Sequence, residues 1–314
     1  MTRNIAASIK ARLLAGARER GEEFELFLVR FACERFLYRL GESELRDQCT
    51  LKGAGLLTLW MDDPYRSTRD LDFLASGPGD EASIRRSVER ICRVSCVEDG
   101  LTFDLNSMTV LPIRAVQKYP GKRATLNAYL GKARIRLQLD FGFGDAMVPA
   151  PEDSEFPTLI DGLPIPRVRT YPRVVAVAEK FEAMVNIGRR NSRMKDFHDT
   201  LALSESFPFD GAALRDAVAG CFKRRSAAWT AEVPDALTPG FYADPDLQSR
   251  WQRLPSLRQL PHAASGQLRG GREEGALLLT PDSRHHRCWR PFHPAQASEW
   301  ALGLTRDLAF SRRE

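Results

Sequence analysis

No apolar run in this sequence approaches the roughly 18 residues that a membrane-spanning helix needs, so no membrane segment is expected. Cys-x-x-C pairs are missing too: Cys33, Cys49, Cys92, Cys96, Cys221 and Cys288 stand apart. They read as reduced thiols of a cytoplasmic protein rather than a disulfide framework. A large charge of one sign is also lacking, since 46 basic and 41 acidic residues leave only +5. That balance permits a polyanionic partner without demanding one. Lys10 and Arg12 interrupt any apolar signal core, so no secretory leader is expected. What is present is ordinary for a globular chain: 43% hydrophobic and 28% charged residues over 314 positions. Collagen-like, disulfide-scaffold and wholly disordered readings are excluded, and about two domains are expected.

Ile5, Ile9 and Leu13 predict an amphipathic first helix, and Phe24, Phe27, Leu28 and Phe31 the apolar face of a second. Leu51–Trp60 begins with a turn signal and continues as a short apolar helix. Arg66–Phe73 ends in an alternating, strand-like stretch, and residues 81–94 read as a charged surface helix. Residues 101–145 turn to strands, with Ile135, Leu137 and Leu139 on one face of the clearest. The Pro-rich stretch 149–172 reads as a connection. Pro172 then opens a strong helix that Gly188 closes, and a further helix covers residues 195–205.

The most informative feature is Asp70-Leu71-Asp72. Residues i and i+2 of a strand share a face, so two carboxylates converge there. Hard divalent cations such as Mg²⁺, or Mn²⁺, prefer carboxylate oxygens together with substrate phosphates. Gly53-Ala54-Gly55 lies upstream, before a helix, where glycine lets backbone approach a phosphate. Asp140 falls on the clearest strand. If that strand lies beside Asp70–Asp72, the three acids can hold two metal ions. Lys180 sits beside an apolar helical stripe, where it is either a point charge for a triphosphate or a plain surface charge. Asp196 and Asp199 share a helical face at i, i+3, and the alternative for them is a surface carboxylate pair.

The glycine loop, the helix, Asp-x-Asp and a distant third Asp resemble the nucleotidyltransferase superfamily. Five blocks in order are similar to the AbiEii/AbiGii toxin family of nucleotidyltransferases: Leu51–Trp60, Arg66–Phe73, Leu139–Asp145, Ala178–Met184 and Asn191–Asp199. The resemblance covers roughly residues 5–252. The resemblance implies an α/β fold, with a nucleotidyltransferase-type mixed sheet and flanking helices over 1–150. A helical part over 151–253 would complete a cleft faced by Lys180 and Asp196. It implies a toxin that uses Mg²⁺ and a nucleoside triphosphate (NTP), with tRNA as acceptor and a cognate antitoxin as partner. Asp70 and Asp72 would be the metal ligands, supported by Asp140. Lys180 would bind triphosphate together with Lys52, Gly53, Ala54 and Thr68, and Asp196 would be the late catalytic aspartate. Thr68 matches a hydroxyl that is phosphorylated in some relatives as an off switch, with Ser67 adjacent.

Three features depart from the family pattern, one being the fifteen residues between Ala54 and Asp70, longer than the general superfamily spacing. Ala54 stands where a second glycine or a serine is usual. That keeps open a catalytically inactive binder of RNA or NTP, beside transfer of the nucleotide to a protein or small molecule. Residues 254–314 lack periodicity and read as either disordered or translated from a shifted frame. His285, His286, Cys288 and His293 fit no standard zinc spacing. Basic clusters occur at Lys118–Lys122–Arg123, Arg189–Arg190–Arg193–Lys195 and Lys223–Arg224–Arg225. The second is the expected RNA-phosphate contact.

Overall fold

The computed structural model describes residues 4–61, 68–113, 121–144, 147–188, 193–225 and 234–253. The expectations at Ser67, Lys118, Asp145, Arg189, Arg190, Asn191 and 254–314 lie outside the described residues. Two compact units form, dividing between Tyr171 and Pro172, with 147–150 grouped with the second. The sequence puts that boundary at 150. It falls later because the Pro-rich stretch is not a plain connection: it adds two strands to the sheet of the first unit.

The first unit is the expected mixed sheet with flanking helices. Its helices are α1 (Ile5–Glu19), α2 (Phe24–Gly41), α3 (Gly55–Trp60) and α4 (Glu81–Cys92). Its strands are β1 (Cys49–Lys52), β2 (Asp70–Ala75), β3 (Leu101–Pro112), β4 (Lys122–Leu130), β5 (Ala133–Phe143), β6 (Glu152–Glu155) and β7 (Arg167–Thr170). Their order is β3-β4-β5-β2-β1-β7-β6. β2 lies parallel to β5 and β1 parallel to β7, while the other neighbours are antiparallel.

The two-residue period of β2 buries Leu71, Phe73 and Ala75 and turns Asp70 and Asp72 to the opposite face. β5 buries Ile135, Leu137, Leu139 and Phe141 in the same way. Phe73 stacks on Phe141 at 5.5 Å, and Phe36 of α2 meets Phe73 at 6.2 Å. The apolar side of the central strands is thus closed by α2. The acids are left on the other side.

α2 is more deeply buried than its aromatic face alone predicts. Glu34, Arg35 and Arg39 are 1%, 0% and 3% exposed. Arg39 grips Asp99 with two hydrogen bonds, of 2.6 and 3.2 Å. Glu34 accepts from the Leu159 amide at 2.7 Å, and Arg35 donates to the Pro164 carbonyl at 2.9 Å. These bonds pin the chain between β6 and β7 against the helix. Glu34 Oε1 also lies 2.5 Å from Arg35 Nη2, an ion-pair contact without hydrogen-bond alignment.

The second unit is helical, as expected: α5 (Arg173–Ile187), α6 (Met194–Ser206), α7 (Gly211–Arg224), α8 (Pro239–Tyr242) and α9 (Pro245–Gln252). Pro172 caps α5, and Gly188, at φ +54°, ends it. Phe181 meets Phe222 at 6.2 Å between α5 and α7. No helix among the described residues is long and apolar enough to cross a membrane. The five described cysteines are all free, and burial pushes Cys49 and Cys92 up to about 12.

Removing Asp99 leaves a buried, unpaired guanidinium. Asp99→Ala is therefore expected to lower the unfolding free energy by about 3–5 kcal/mol in urea titrations. Burial raises Glu34 from 4.5 to about 7. The folded chain then holds more protons than the unfolded chain between those values, so stability falls as pH rises through that window. The loss reaches at most about 3 kcal/mol. Urea titrations at pH 5 and pH 8 should show that slope, and Glu34→Gln should flatten it.

Candidate functional site

β2 and β5 lie side by side with Asp72 directly opposite Asp140 and Asp70 opposite Gln138. The condition set by the sequence, that the Asp140 strand neighbour the Asp-x-Asp strand, is met. On the other flank, Lys52 of β1 is the antiparallel partner of Asp72. Lys52 extends over the Tyr171 ring, 5.4 Å from its centre.

The turn after β1 is fitted to Asp72. Gly53 has φ +71°, a conformation that favours glycine. A Cβ there would lie 2.2 Å from Asp72 Oδ2 and 2.9 Å from its Cβ. Glycine at 53 is therefore required twice, by the backbone and by the carboxylate against it. Ala54 follows as the N-cap of α3 and offers no side-chain cap. The helix is six residues long, and the amides of Leu56 and Leu57 already donate to the carbonyls of Gly53 and Ala54. The expected anion-binding helix end is therefore reduced to the glycine turn.

Asp70 is held on both oxygens. Thr68 Oγ1 donates to Oδ1 at 2.6 Å, and Gln138 Nε2 lies 3.3 Å from Oδ2. Thr68 also lines a cavity of about 480 Å³ with Cys33, Glu34, Thr58, Met61 and Phe156. The Asp70 charge reaches Cys33, whose thiol is raised mainly by burial and secondarily by that carboxylate.

Asp140 joins the acids but is not open. Arg123 of β4, its cross-strand partner, donates from Nε at 2.8 Å and from Nη2 at 2.7 Å, one bond to each oxygen. The hydrogen bond to Asp140 raises the Arg123 pKa most, and the charges of Asp140, Asp70 and Asp72 raise it further. One guanidinium thus sits in the field of three carboxylates. Arg123 of the Lys118–Lys122–Arg123 cluster is thus turned to a carboxylate, because the strand register points it at Asp140. Among the described residues, no group of three or more acids, histidines or cysteines is already closed around a cation position. The donor set still fits a hard divalent ion. Asp70 and Asp72 share a strand face and supply oxygen ligands that leave room for phosphate oxygens.

The second unit gathers its own charged cluster. Lys180 of α5 is 3.4 Å from Asp196 Oδ1 and 2.5 Å from Asp199 Oδ2, both on α6. Asp196 and Asp199 are 4% and 0% exposed, so the surface-pair alternative fails for both. Arg193 Nε is 2.9 Å from the second Asp196 oxygen. His198 is buried and packs its ring 5.4 Å from Trp251. Arg224 pairs with Glu179 at 2.7 Å and Arg225 with the buried Glu182, tying α7 to α5. Burial pushes the Glu182 carboxyl up, against the pull of Arg225. Two arginines of the third basic cluster are therefore structural.

A family model, Nucleotidyl transferase AbiEii toxin, Type IV TA system, matches residues 35–263, a span that holds the acids, the glycine turn, Lys180 and Asp196. The chain belongs to the AbiEii family. The family is one of toxin-type nucleotidyltransferases, which implies an NTP substrate and an antitoxin partner. No curated protein matches the AbiEii chain. It is similar to the crystal structure of JHP933 from Helicobacter pylori at 13% identity and TM-score 0.37, covering 73% of this chain and 91% of that one. It is also similar to the structure of a candidate nucleotidyltransferase from H. pylori at 16% identity and TM-score 0.37, covering 77% and 100%.

Sequence reasoning missed Gln138 and the Asp140 role of Arg123. Alternation along β5 places Gln138 on the Asp140 face, two residues away, and that signal was available. The Arg123 pairing depends on hairpin register and had no local signal. Gly53→Ala is expected to displace the Asp72 carboxylate and strain the turn, at a cost of about 1–3 kcal/mol. Urea titration checks the stability, and loss of activity with the fold retained checks the displacement.

Proposed function

We propose that this AbiEii-family chain transfers a nucleoside monophosphate from an NTP to the 3′ end of tRNA, with Mg²⁺ or Mn²⁺. The observation that carries the reading is the pairing of Asp72 with Asp140 across β2 and β5, beside a glycine turn that admits the Asp72 carboxylate. A bound divalent ion would supply positive charge to the α-phosphate and the leaving pyrophosphate. Asp70 and Asp72 would hold it, with Thr68 and Gln138 fixing the orientation of Asp70.

The acceptor hydroxyl attacks the α-phosphorus in line. One oxygen–phosphorus bond forms, the α–β bridging bond breaks, and pyrophosphate and a proton leave. Asp140 is a poor base for that proton while Arg123 holds both its oxygens. Lys52, Gly53 and Ala54 would line the triphosphate. By the family resemblance Lys180 would bind triphosphate, and Asp196 and Asp199 hold its ammonium. Most of the rate would come from positioning and charge stabilisation.

A second reading, an RNA- or NTP-binding toxin without activity, draws on Ala54. That residue gives the short helix after the glycine turn no side-chain cap. Purified protein with total tRNA, Mg²⁺ and each α-labelled NTP in turn decides between them. Label is expected in tRNA with one or two nucleotides. Asp70→Ala is expected to reduce it by roughly a hundredfold or more, while circular dichroism stays unchanged. Label in a protein band would redirect the reading to protein nucleotidylation. No transfer at all would favour the binder.

A further inference from the structure

Asp70, Asp72 and Asp140 lie on neighbouring strands, and like charges placed directly opposite repel. A site built for two divalent ions would leave all three carboxylates open. Here one is closed. Arg123 donates to both oxygens of Asp140 in the planar two-bond geometry that a guanidinium and a carboxylate share. A guanidinium does not lose its proton at any ordinary pH, so this positive charge is permanent. Asp140 is 8% exposed, whereas the Arg123 side chain is 43% exposed at the rim.

We propose that Arg123 is a built-in counter-cation that takes the place of a second metal ion, so that the carboxylate face binds one divalent cation through Asp70 and Asp72. The charges support it. Three carboxylates and one guanidinium leave two net negative charges, and Lys52, the cross-strand partner of Asp72, lowers the local demand for cations further, so one divalent ion suffices. A second ion would have to displace a bidentate arginine from a buried carboxylate, and would leave excess positive charge. Arg123 is then a positioning residue: it holds Asp140 and shapes the field in which Asp70 and Asp72 bind their ion. The inference deepens the nucleotidyl-transfer reading and rests on it for the metal.

Mn²⁺ binding to the full chain, read by electron paramagnetic resonance of the free ion without nucleotide, tests it. The native protein is expected to bind one Mn²⁺, and Arg123→Gln, which frees Asp140, is expected to bind two. Asp140→Asn is expected to stay at one. This variant and the native protein decide the matter even if Arg123→Gln does not fold. Two ions on the native protein, falling to one in Asp140→Asn, would overturn the inference and leave nucleotidyl transfer standing. A stoichiometry of one in folded Arg123→Gln would overturn it as well. No Mn²⁺ bound to the native protein would do the same. In that case label transfer to tRNA reports separately on whether the nucleotidyl-transfer reading survives.

Discussion

Two carboxylates face each other across adjacent parallel strands, and everything around them answers to their mutual repulsion. Asp72 and Asp140 are held together from behind by an aromatic stack. Phe73 lies on Phe141, each one residue along from an acid, and Phe36 closes over them. The apolar face of β2 and β5 therefore fixes the register that the polar face has to tolerate. On the polar side, Arg123 answers Asp140, Thr68 and Gln138 answer Asp70, and the bare Cα of Gly53 makes room for Asp72. Stability and chemistry are coupled at this point, because a shift of one strand by one residue would turn the acids inward and the phenylalanines out.

The same logic of opposed charge recurs in the second unit. Lys180 is a half-buried cation fixed by two buried carboxylates, and Glu179 and Glu182 on the same helix are met by Arg224 and Arg225. A buried pair contributes little net stability, but loss of one partner is severe. Such pairs therefore serve better to fix the positions of charged groups than to raise stability. A lysine aimed by Asp196 and Asp199 has less freedom than a surface lysine.

Several elements were legible before any coordinates. The alternation in Asp70–Phe73 and Ala133–Phe143, the Pro172 start and Gly188 stop of α5, and the helix over Met194–Ser206 all formed as their patterns imply. Local periodicity and capping carry that information, so a single stretch of chain reveals it. The 149–172 stretch reads as a connection because β6 and β7 are four residues each, and β7 joins the sheet only through β1, far earlier in the chain. Prolines around short strands look like a linker until their neighbours are known. The burial of Glu34, Arg35 and Arg39 was equally hidden, since their partners lie some 60 to 130 residues away.

The sequence by itself determined the spacing of Asp70 and Asp72, the glycine that precedes them, the family resemblance, and the split between a strand-rich and a helical part. Those follow from residue type and short-range period. Only the tertiary structure decided that β5 lies parallel to β2 with Asp140 opposite Asp72. It alone decided that Arg123 closes Asp140, and that Lys180 is held by Asp199 as well as Asp196. Each of these depends on strand order, hairpin register or helix packing. They are long-range properties that no local pattern encodes.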